Sequence, residues 1–460
     1  MKNLTLENIA KVCGGVYVGS PEKKEQEVQG IVTDSRKVEE GFLFVPIKGA
    51  RVDAHDFIDG VMEKGALCTL TERELGEKSF PYIKVNSSLQ AVKDIAEFYL
   101  KQLSIPVVGI TGSVGKTSTK EMIAAVLEEK HNVLKTKGNF NNELGVPLTV
   151  FGLRPDHEIA VLEMGISDFG EMHRLAKIAR PDTCVITNIG LCHLEFLKSR
   201  DGILKAKTEI FDFLESDGHV ILNGDDDKLI TVRDVKGIKP LFFGVDNHQG
   251  VWADEIESKG LKGISCQIHA GEESFKVLIP IPGRHMVYNA LAGTAVGLTY
   301  GMNMEEIKKG IESLQSLSGR FHIIETGNRT IVDDCYNANP VSMKASLDVL
   351  QDALGRRVAI LGDMGELGKE EVEMHREVGV YAAARDIDKI ICVGELAGDM
   401  AEAARLAAPT KDIVHFAEKE SLLEALPEMI RDGDTILVKA SHFMEFEKVV
   451  EMLKDFPVTD

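Results

Sequence analysis

Val107-Val108-Gly109-Ile110-Thr111-Gly112-Ser113-Val114-Gly115-Lys116-Thr117-Ser118-Thr119 runs an apolar strand straight into a glycine-rich turn and the first turn of a helix. Small residues let successive backbone N–H groups converge on one point, and the helix N-terminus adds the positive end of its dipole, so the segment suits a bound phosphate. In such a cradle Thr111, Gly112, Ser113, Val114, Gly115, Lys116, Thr117 and Ser118 form the nucleotide loop. Lys116 reaches the outer phosphates and the Thr117 hydroxyl can ligate Mg²⁺, with ATP or GTP as the expected ligand. The spacing is a variant of the full P-loop pattern, because Ile110 stands where its first glycine falls. A turn of this kind that binds nothing is the plainer alternative, and Gly115-Lys116-Thr117 after so clear a strand weighs against it.

Outward from the cradle the chain reads as α/β in three domains. Residues 1–103 mix short β-like runs (Gly30-Ile31-Val32-Thr33 and Phe42-Leu43-Phe44-Val45) with a helix-periodic stretch at 89–103, which predicts a small α/β N-terminal domain. Residues 104–318 hold the cradle and alternate strands at 158–163, 183–187 and 219–222 with helical segments, which predicts a central P-loop domain with a doubly wound, mostly parallel sheet. After Ser318-Gly319-Arg320 the alternation restarts with strands at 330–332, 357–361, 389–393 and 435–438, so residues 319–460 are expected to form a C-terminal Rossmann-like domain. No internal repeat or low-complexity tract interrupts this order.

Composition narrows the function. At 460 residues the chain exceeds one ordinary core, in keeping with two to three domains. A formal charge of −20 argues against a polyanionic partner, since nucleic-acid binding relies on basic patches. No run is long and apolar enough to cross a bilayer, and Met1-Lys2-Asn3-Leu4-Thr5-Leu6-Glu7 lacks a signal-peptide core, so a cytoplasmic protein without membrane insertion is expected. The seven cysteines are scattered, never spaced Cys-x-x-Cys, and read as reduced, mostly buried thiols.

Beyond the cradle, chemistry is sought where central strands end. Glu163 closes an apolar strand just before Met164-Gly165, so its carboxylate is expected over the cradle, where it can hold a metal; a solvated strand-end carboxylate is the plainer alternative. His193, in Asn188-Ile189-Gly190-Leu191-Cys192-His193-Leu194-Glu195, can serve as a metal ligand or phosphate contact, although a lone histidine is more often structural. Lys205 and Lys207 fall on a helical stretch at 202–214 with Glu209, where an ordinary charged face is the default.

Taken in order, these segments resemble the Mur ligase family, the ATP-dependent enzymes that add amino acids to the nucleotide-linked muramoyl peptide of bacterial cell-wall synthesis. The resemblance starts at Thr33-Asp34-Ser35-Arg36-Lys37-Val38, Gly41-Phe42-Leu43-Phe44-Val45 and His55-Asp56-Phe57, and continues through the cradle to Gly138-Asn139-Phe140-Asn141-Asn142-Glu143-Leu144-Gly145-Val146-Pro147-Leu148-Thr149. It runs on through the His193 segment, Pro282-Gly283-Arg284-His285-Met286-Val287-Tyr288-Asn289-Ala290-Leu291-Ala292 and Asp333-Asp334-Cys335-Tyr336-Asn337-Ala338-Asn339-Pro340. Leu361-Gly362-Asp363-Met364-Gly365-Glu366-Leu367-Gly368 and Val438-Lys439-Ala440-Ser441 complete it. The Asn-rich segment after Gly138 and the Tyr336-Asn337-Ala338-Asn339-Pro340 run look like those of the member that adds D-alanyl-D-alanine. Where relatives usually continue the Lys439 motif with Gly and Arg, this chain has Ala440 and His442.

The resemblance implies an amide ligase of peptidoglycan synthesis, and so of cell shape and division. Its small-molecule substrates would be UDP-N-acetylmuramoyl-tripeptide and D-alanyl-D-alanine, and a monomer is expected. The first domain would hold the uridine nucleotide, the second ATP, and the third would complete the nucleotide and amino-acid sites. ATP and two Mg²⁺ ions are implied, with Lys207 carbamylated so that a cation becomes an anionic ligand. By position, Ser35 and Arg36 would contact the uridine diphosphate, with Asn139, Asn142 and Lys439 also on the substrates. Lys116, His193 and Lys207 would be catalytic, and Thr117, Glu163, His193 and Lys207 would hold metal. Asn289, Arg320, Asp334, Tyr336 and Asn337 would meet the nucleotide.

The implied chemistry accounts for these residue types. A substrate carboxylate attacks the γ-phosphate, and two anions at ~4 Å repel by about 4 kcal/mol at an effective dielectric near 20, so cations are required. The amine then attacks the acyl phosphate, and no side-chain nucleophile is needed. Three alternatives stay open: a sister ligase adding one amino acid, a folylpolyglutamate-synthase-like ligase, and an ATP-hydrolysing P-loop switch acting on a partner. The third residue of the stem peptide, lysine or diaminopimelate, is not readable by spacing.

Overall fold

Strand Val107–Thr111 is buried along its whole length and lies between two parallel neighbours, Ile159–Glu163 on one side and Thr183–Ile186 on the other. Val133–Lys135 and His219–Asn223 extend the sheet outward, also in parallel. Val, Ile, Leu and Ala dominate these strands because both faces are covered, which removes the polar alternation of a half-exposed sheet. The chain leaves Val107–Thr111 where strand order reverses, the place at which doubly wound sheets bind ligands.

The computed structural model describes residues 1–49 and 51–455, the side chains of Leu194 and Glu195 excepted. The chain divides into two units, one of Met1–Gly190, Arg200–Phe242 and Val296–Gly301, the other of Leu191–Ser199, Phe243–Ala295 and Met302 onward. In the first, a separate five-stranded sheet runs in the order Val16–Val18, Tyr82–Lys84, Cys68–Thr71, Leu43–Phe44, Ile31–Val32, with only the Val16–Val18 edge antiparallel. Helix Ser88–Leu103 follows, capped by Ser87 Oγ, which accepts from Gln90 N–H at 3.2 Å. Its residues Ala91, Val92, Ile95, Ala96 and Tyr99 recur at helical spacing and are buried, and Tyr99 donates from Oη to Leu153 O at 2.8 Å.

In the second unit a six-stranded sheet runs His322–Glu325, Thr330–Asp333, Asp434–Lys439, Arg356–Gly362, Lys389–Val393, Asp412–Phe416. All its pairings are parallel except the first. This is the expected Rossmann-like sheet. The helix–strand alternation did not announce an antiparallel ribbon, Val251–Ser258, Ile264–Ala270 and Glu273–Ile279. In Glu273–Ile279 the last residues alternate, with Val277 and Ile279 buried and Lys276 and Leu278 exposed, the signature of a strand with one wet face. Gly263 permits the tight approach, since a Cβ there would lie 2.0 Å from Ile279 O at φ 119°. Among the described residues no helix is long and apolar enough to cross a membrane, and the seven cysteines are free thiols, five of them buried.

Candidate active site

The cradle depends on Gly112, whose φ is 153° and where a Cβ would stand 1.9 Å from Thr187 Oγ1. Only glycine fits. The loop is then tied to the exit of the next strand. Ser113 N–H donates to Asn188 O and Val114 N–H to Asn188 Oδ1, both at 3.0 Å, while Asn188 Nδ2 and Thr187 Oγ1 donate to Val114 O at 2.9 and 2.8 Å. With those two N–H groups engaged, the donors that remain to face an anion sit at the start of helix Lys116–Glu128. That start has Gly115 at φ 82° and no capping side chain. Lys116 Nζ folds over the loop and donates to Gly112 O at 2.9 Å. Asn188 stood in a motif with no role of its own in the sequence, and here it is the clamp of the loop. Gly112→Ala is expected to cost about 2 kcal/mol of stability through forced backbone strain and to weaken ATP binding; thermal unfolding and nucleotide calorimetry measure the two effects.

Glu163 is the register partner of Ile110, which brings its side chain to the mouth of the turn. The residue is 1% exposed. Its N–H donates to Thr136 Oγ1 at 3.0 Å and its Oε1 accepts from Asn141 Nδ2 at 2.8 Å, whereas Oε2 is buried with no hydrogen-bond partner among the described residues. A buried carboxylate oxygen left so costs free energy that an arriving cation removes. A carboxylate and a threonine hydroxyl suit Mg²⁺, which prefers hard oxygens. Among the described residues no three His, Cys, Asp or Glu side chains form a metal cluster. Asn141 went unassigned in the sequence although Gly165 signals it, since a Cβ at 165 would meet its side chain at 2.9 Å. Asn139 and Asn142 are exposed, and Asn142 Oδ1 accepts from Gly145 N–H at 2.8 Å, tying down the start of helix Gly145–Val150.

Lys205 and Lys207 separate. On helix Arg200–Thr208 Lys205 is exposed, as a charged face requires, but Lys207 is 1% exposed and leaves that face. Glu209 turns instead to the N-terminus of helix Glu171–Ala179, accepting from Gly170 N–H at 3.1 Å and His173 N–H at 3.2 Å. Far earlier in the chain, Ser35 and Arg36 occupy a short 3₁₀ turn, Ser35–Lys37, capped by Asp34. The Arg36 guanidinium grips Asp34 at 2.9 and 2.8 Å and holds its carboxyl well below the usual carboxylate range. The arginine side chain itself is 86% exposed.

His193, Asn289, Arg320, Asp334, Tyr336, Asn337 and Lys439 belong to the second unit. His193 has φ 49° and its Nδ1 lies 3.9 Å from Glu366 Oε2; Asn289 is buried on helix His285–Thr299. The others converge at the strand ends of the six-stranded sheet. Buried Lys439 pairs with Asp334 at 2.6 Å and donates to Asn337 O at 3.2 Å. Asp334 also accepts from Ser346 Oγ at 2.6 Å and Phe321 N–H at 3.1 Å, which brings Arg320 over the Tyr336 ring at 4.0 Å.

The segments 27–109, 110–297 and 319–442 match, in turn, the Mur ligase family catalytic domain, the Mur ligase middle domain and the Mur ligase glutamate ligase domain. UDP-N-acetylmuramoyl-tripeptide–D-alanyl-D-alanine ligase of Bacillus subtilis is 38% identical over 99% of both chains. This chain belongs to the Mur ligase family. The ligase of that name from Escherichia coli is 35% identical over the same share. Among solved structures, MurF from Acinetobacter baumannii superposes with a TM-score of 0.89 at 32% identity, covering 98% of this chain and 99% of that one. MurF from Thermotoga maritima in complex with ADP reaches 0.81 at 32% identity over 93% and 97%.

In this Mur ligase the departures at the Lys439 motif have local explanations. Ala440 is fully buried against Gly362, where any Cβ would stand 2.6 Å from the Ala440 methyl, so the extra carbon is matched by a glycine opposite. His442 stacks on Tyr336 with ring centroids 5.6 Å apart, and its Nδ1 lies 3.3 Å from Glu447 Oε1. Lys439 itself is no loose strand end. Lys439→Met leaves the Asp334 carboxylate without its cation, and a loss of about 3 kcal/mol is expected in denaturant unfolding, as for other broken buried pairs.

Proposed function

We propose that this Mur ligase joins D-alanyl-D-alanine to UDP-N-acetylmuramoyl-tripeptide, forming the pentapeptide precursor of peptidoglycan with release of ADP and phosphate. The observation that carries the substrate assignment is agreement over 99% of the chain, at 38% and 35% identity, with two ligases named for that reaction. In this reading residues 1–103 bind the uridine nucleotide, 104–318 bind ATP and 319–460 complete both sites. The matched segments at 27–109, 110–297 and 319–442 support that division. The enzyme acts as a cytoplasmic monomer on small-molecule substrates.

The tripeptide carboxylate attacks the γ-phosphorus of ATP, the bond to the bridging oxygen breaks, and ADP departs with its electrons. The amine nitrogen of D-alanyl-D-alanine then attacks the acyl-phosphate carbonyl, phosphate leaves, and the nitrogen sheds its surplus proton. The Lys116 ammonium and the N–H groups at the start of its helix take up the charge on the transferring phosphoryl group. Thr117 and Glu163 Oε2 would hold Mg²⁺ and a carbamylated Lys207 would ligate a second ion, with His193 a further metal-ligand candidate; bound there, the metal would neutralise phosphate charge. Ser35 and Arg36 meet the uridine diphosphate, and Asn139, Asn142 and Lys439 support the substrates. Asn289, Arg320, Asp334, Tyr336 and Asn337 frame the adenine nucleotide.

Product mass after incubation with Mg-ATP, UDP-N-acetylmuramoyl-tripeptide and D-alanyl-D-alanine tests the assignment. The pentapeptide, with ADP formed only when both substrates are present, is the expected result. Addition of a single amino acid in parallel reactions moves the assignment to a sister ligase, and ATP hydrolysis without either substrate favours a switch.

A further inference from the structure

Lys120 is fully buried, as is Thr136, and the reaction as written uses neither. A buried ammonium is costly unless it is paired and hydrogen-bonded. Lys120 meets both conditions. Its Nζ donates to Thr136 O at 2.7 Å and lies 2.7 Å from Glu121 Oε1, and Glu121 Oε2 lies 2.9 Å from Lys135 Nζ. Burial pushes the Glu121 carboxyl up, but the Lys120 and Lys135 ammonium groups outweigh it and hold the carboxyl below its ordinary value.

Thr136 carries the contact onward. Its N–H donates to Val161 O at 3.0 Å, and its Oγ1 accepts from Glu163 N–H at 3.0 Å. Lys120 stands three residues after Thr117 on helix Lys116–Glu128, so the two share a helix face one turn apart. A continuous set of short bonds thus runs from the helix that carries the hydroxyl ligand to the strand that carries the carboxylate ligand. An apolar side chain would fill the same space without the cost of burying a charge, but it would not make the bridge.

We propose that Lys120 is a positioning residue for the divalent ion, acting through Thr136 to set the spacing between Thr117 and Glu163. This rests on the reading of those two residues as ion ligands. Outer partners of metal ligands act in this way by fixing ligand orientation.

The test is the Mg²⁺ dependence of ADP binding to the full chain by calorimetry, with Mn²⁺ and its electron paramagnetic resonance spectrum as a second probe. Lys120→Met and Thr136→Val are expected to need about tenfold more Mg²⁺ for the same coupling to ADP, with metal-free ADP affinity unchanged; Thr136→Ser, which keeps the hydroxyl, retains the original dependence. Folded Lys120→Met with an unaltered Mg²⁺ dependence overturns the proposal. Should Lys120→Met not fold, Thr136→Val decides alone, an unaltered dependence again overturning it. Glu163→Gln separates the two levels. A lost Mg²⁺ dependence there beside unaltered Lys120→Met and Thr136→Val sinks only the positioning role, whereas an unaltered Glu163→Gln removes the ligand reading beneath it.

Discussion

Lys207→Ala is expected to lower kcat for the proposed ligation by about 10³-fold or more, with millimolar acetate or formate restoring part of it. The reason begins with burial: at 1% exposure Lys207 is not a surface cation but an interior one, and interior charges persist only where compensated. In the proposed reading Lys207 is carbamylated, which changes the sign of that charge. The ammonium first sheds a proton, the neutral amine nitrogen attacks the carbon of CO₂, a second proton leaves, and the carbamate offers an anionic pair of oxygens suited to a hard cation. Truncation to alanine would remove the proposed ligand and leave space for a small carboxylate to stand in its place. The measurement is kcat against added carboxylate, beside wild type depleted of CO₂. Full activity in the variant without additives excludes the role.

Lys116→Ala is expected to lower kcat by about 10²–10³-fold while changing the KM of the proposed tripeptide substrate little. Its ammonium bridges the loop, donating to Gly112 O, so the cradle itself holds it in place at the turn. Two approaching anions repel by about 4 kcal/mol at ~4 Å in a medium of effective dielectric 20, and that term is felt most where carboxylate and phosphoryl group come together. Single-turnover formation of ADP reads the chemical step directly. A variant whose loss lies wholly in the KM of ATP contradicts the assignment.

The nucleotide cradle was legible because its determinants are local. Glycines, a lysine and a threonine at fixed offsets after an apolar strand specify backbone shape and donor placement within about a dozen residues. Glu163 was legible for a related reason, since a charged residue ending an apolar strand has few places to go. Asn188 and Asn141 were not, because each acts across the sheet, on Val114 and Glu163 respectively. Lys207 and Lys120 look like charged helix residues in any window of sequence, and their burial depends on what packs over them. The ribbon that begins at Val251–Ser258 was not legible because that strand carries no clear period of two, its burial failing to alternate and its register slipping between Asp254 and Glu257.

The sequence by itself determined the α/β class, the position of the phosphate turn and the restart of strand–helix alternation after Arg320. These follow from hydrophobic period and turn chemistry, which act over one element at a time. The tertiary structure alone decided which polar groups are left without partners and which charges are interior. Glu163 Oε2 is buried and unpartnered among the described residues, whereas Thr136 takes the backbone N–H of the same residue and Asn141 its Oε1. Those partners lie more than twenty residues away along the chain, and only the folding of the sheet brings them to one carboxylate.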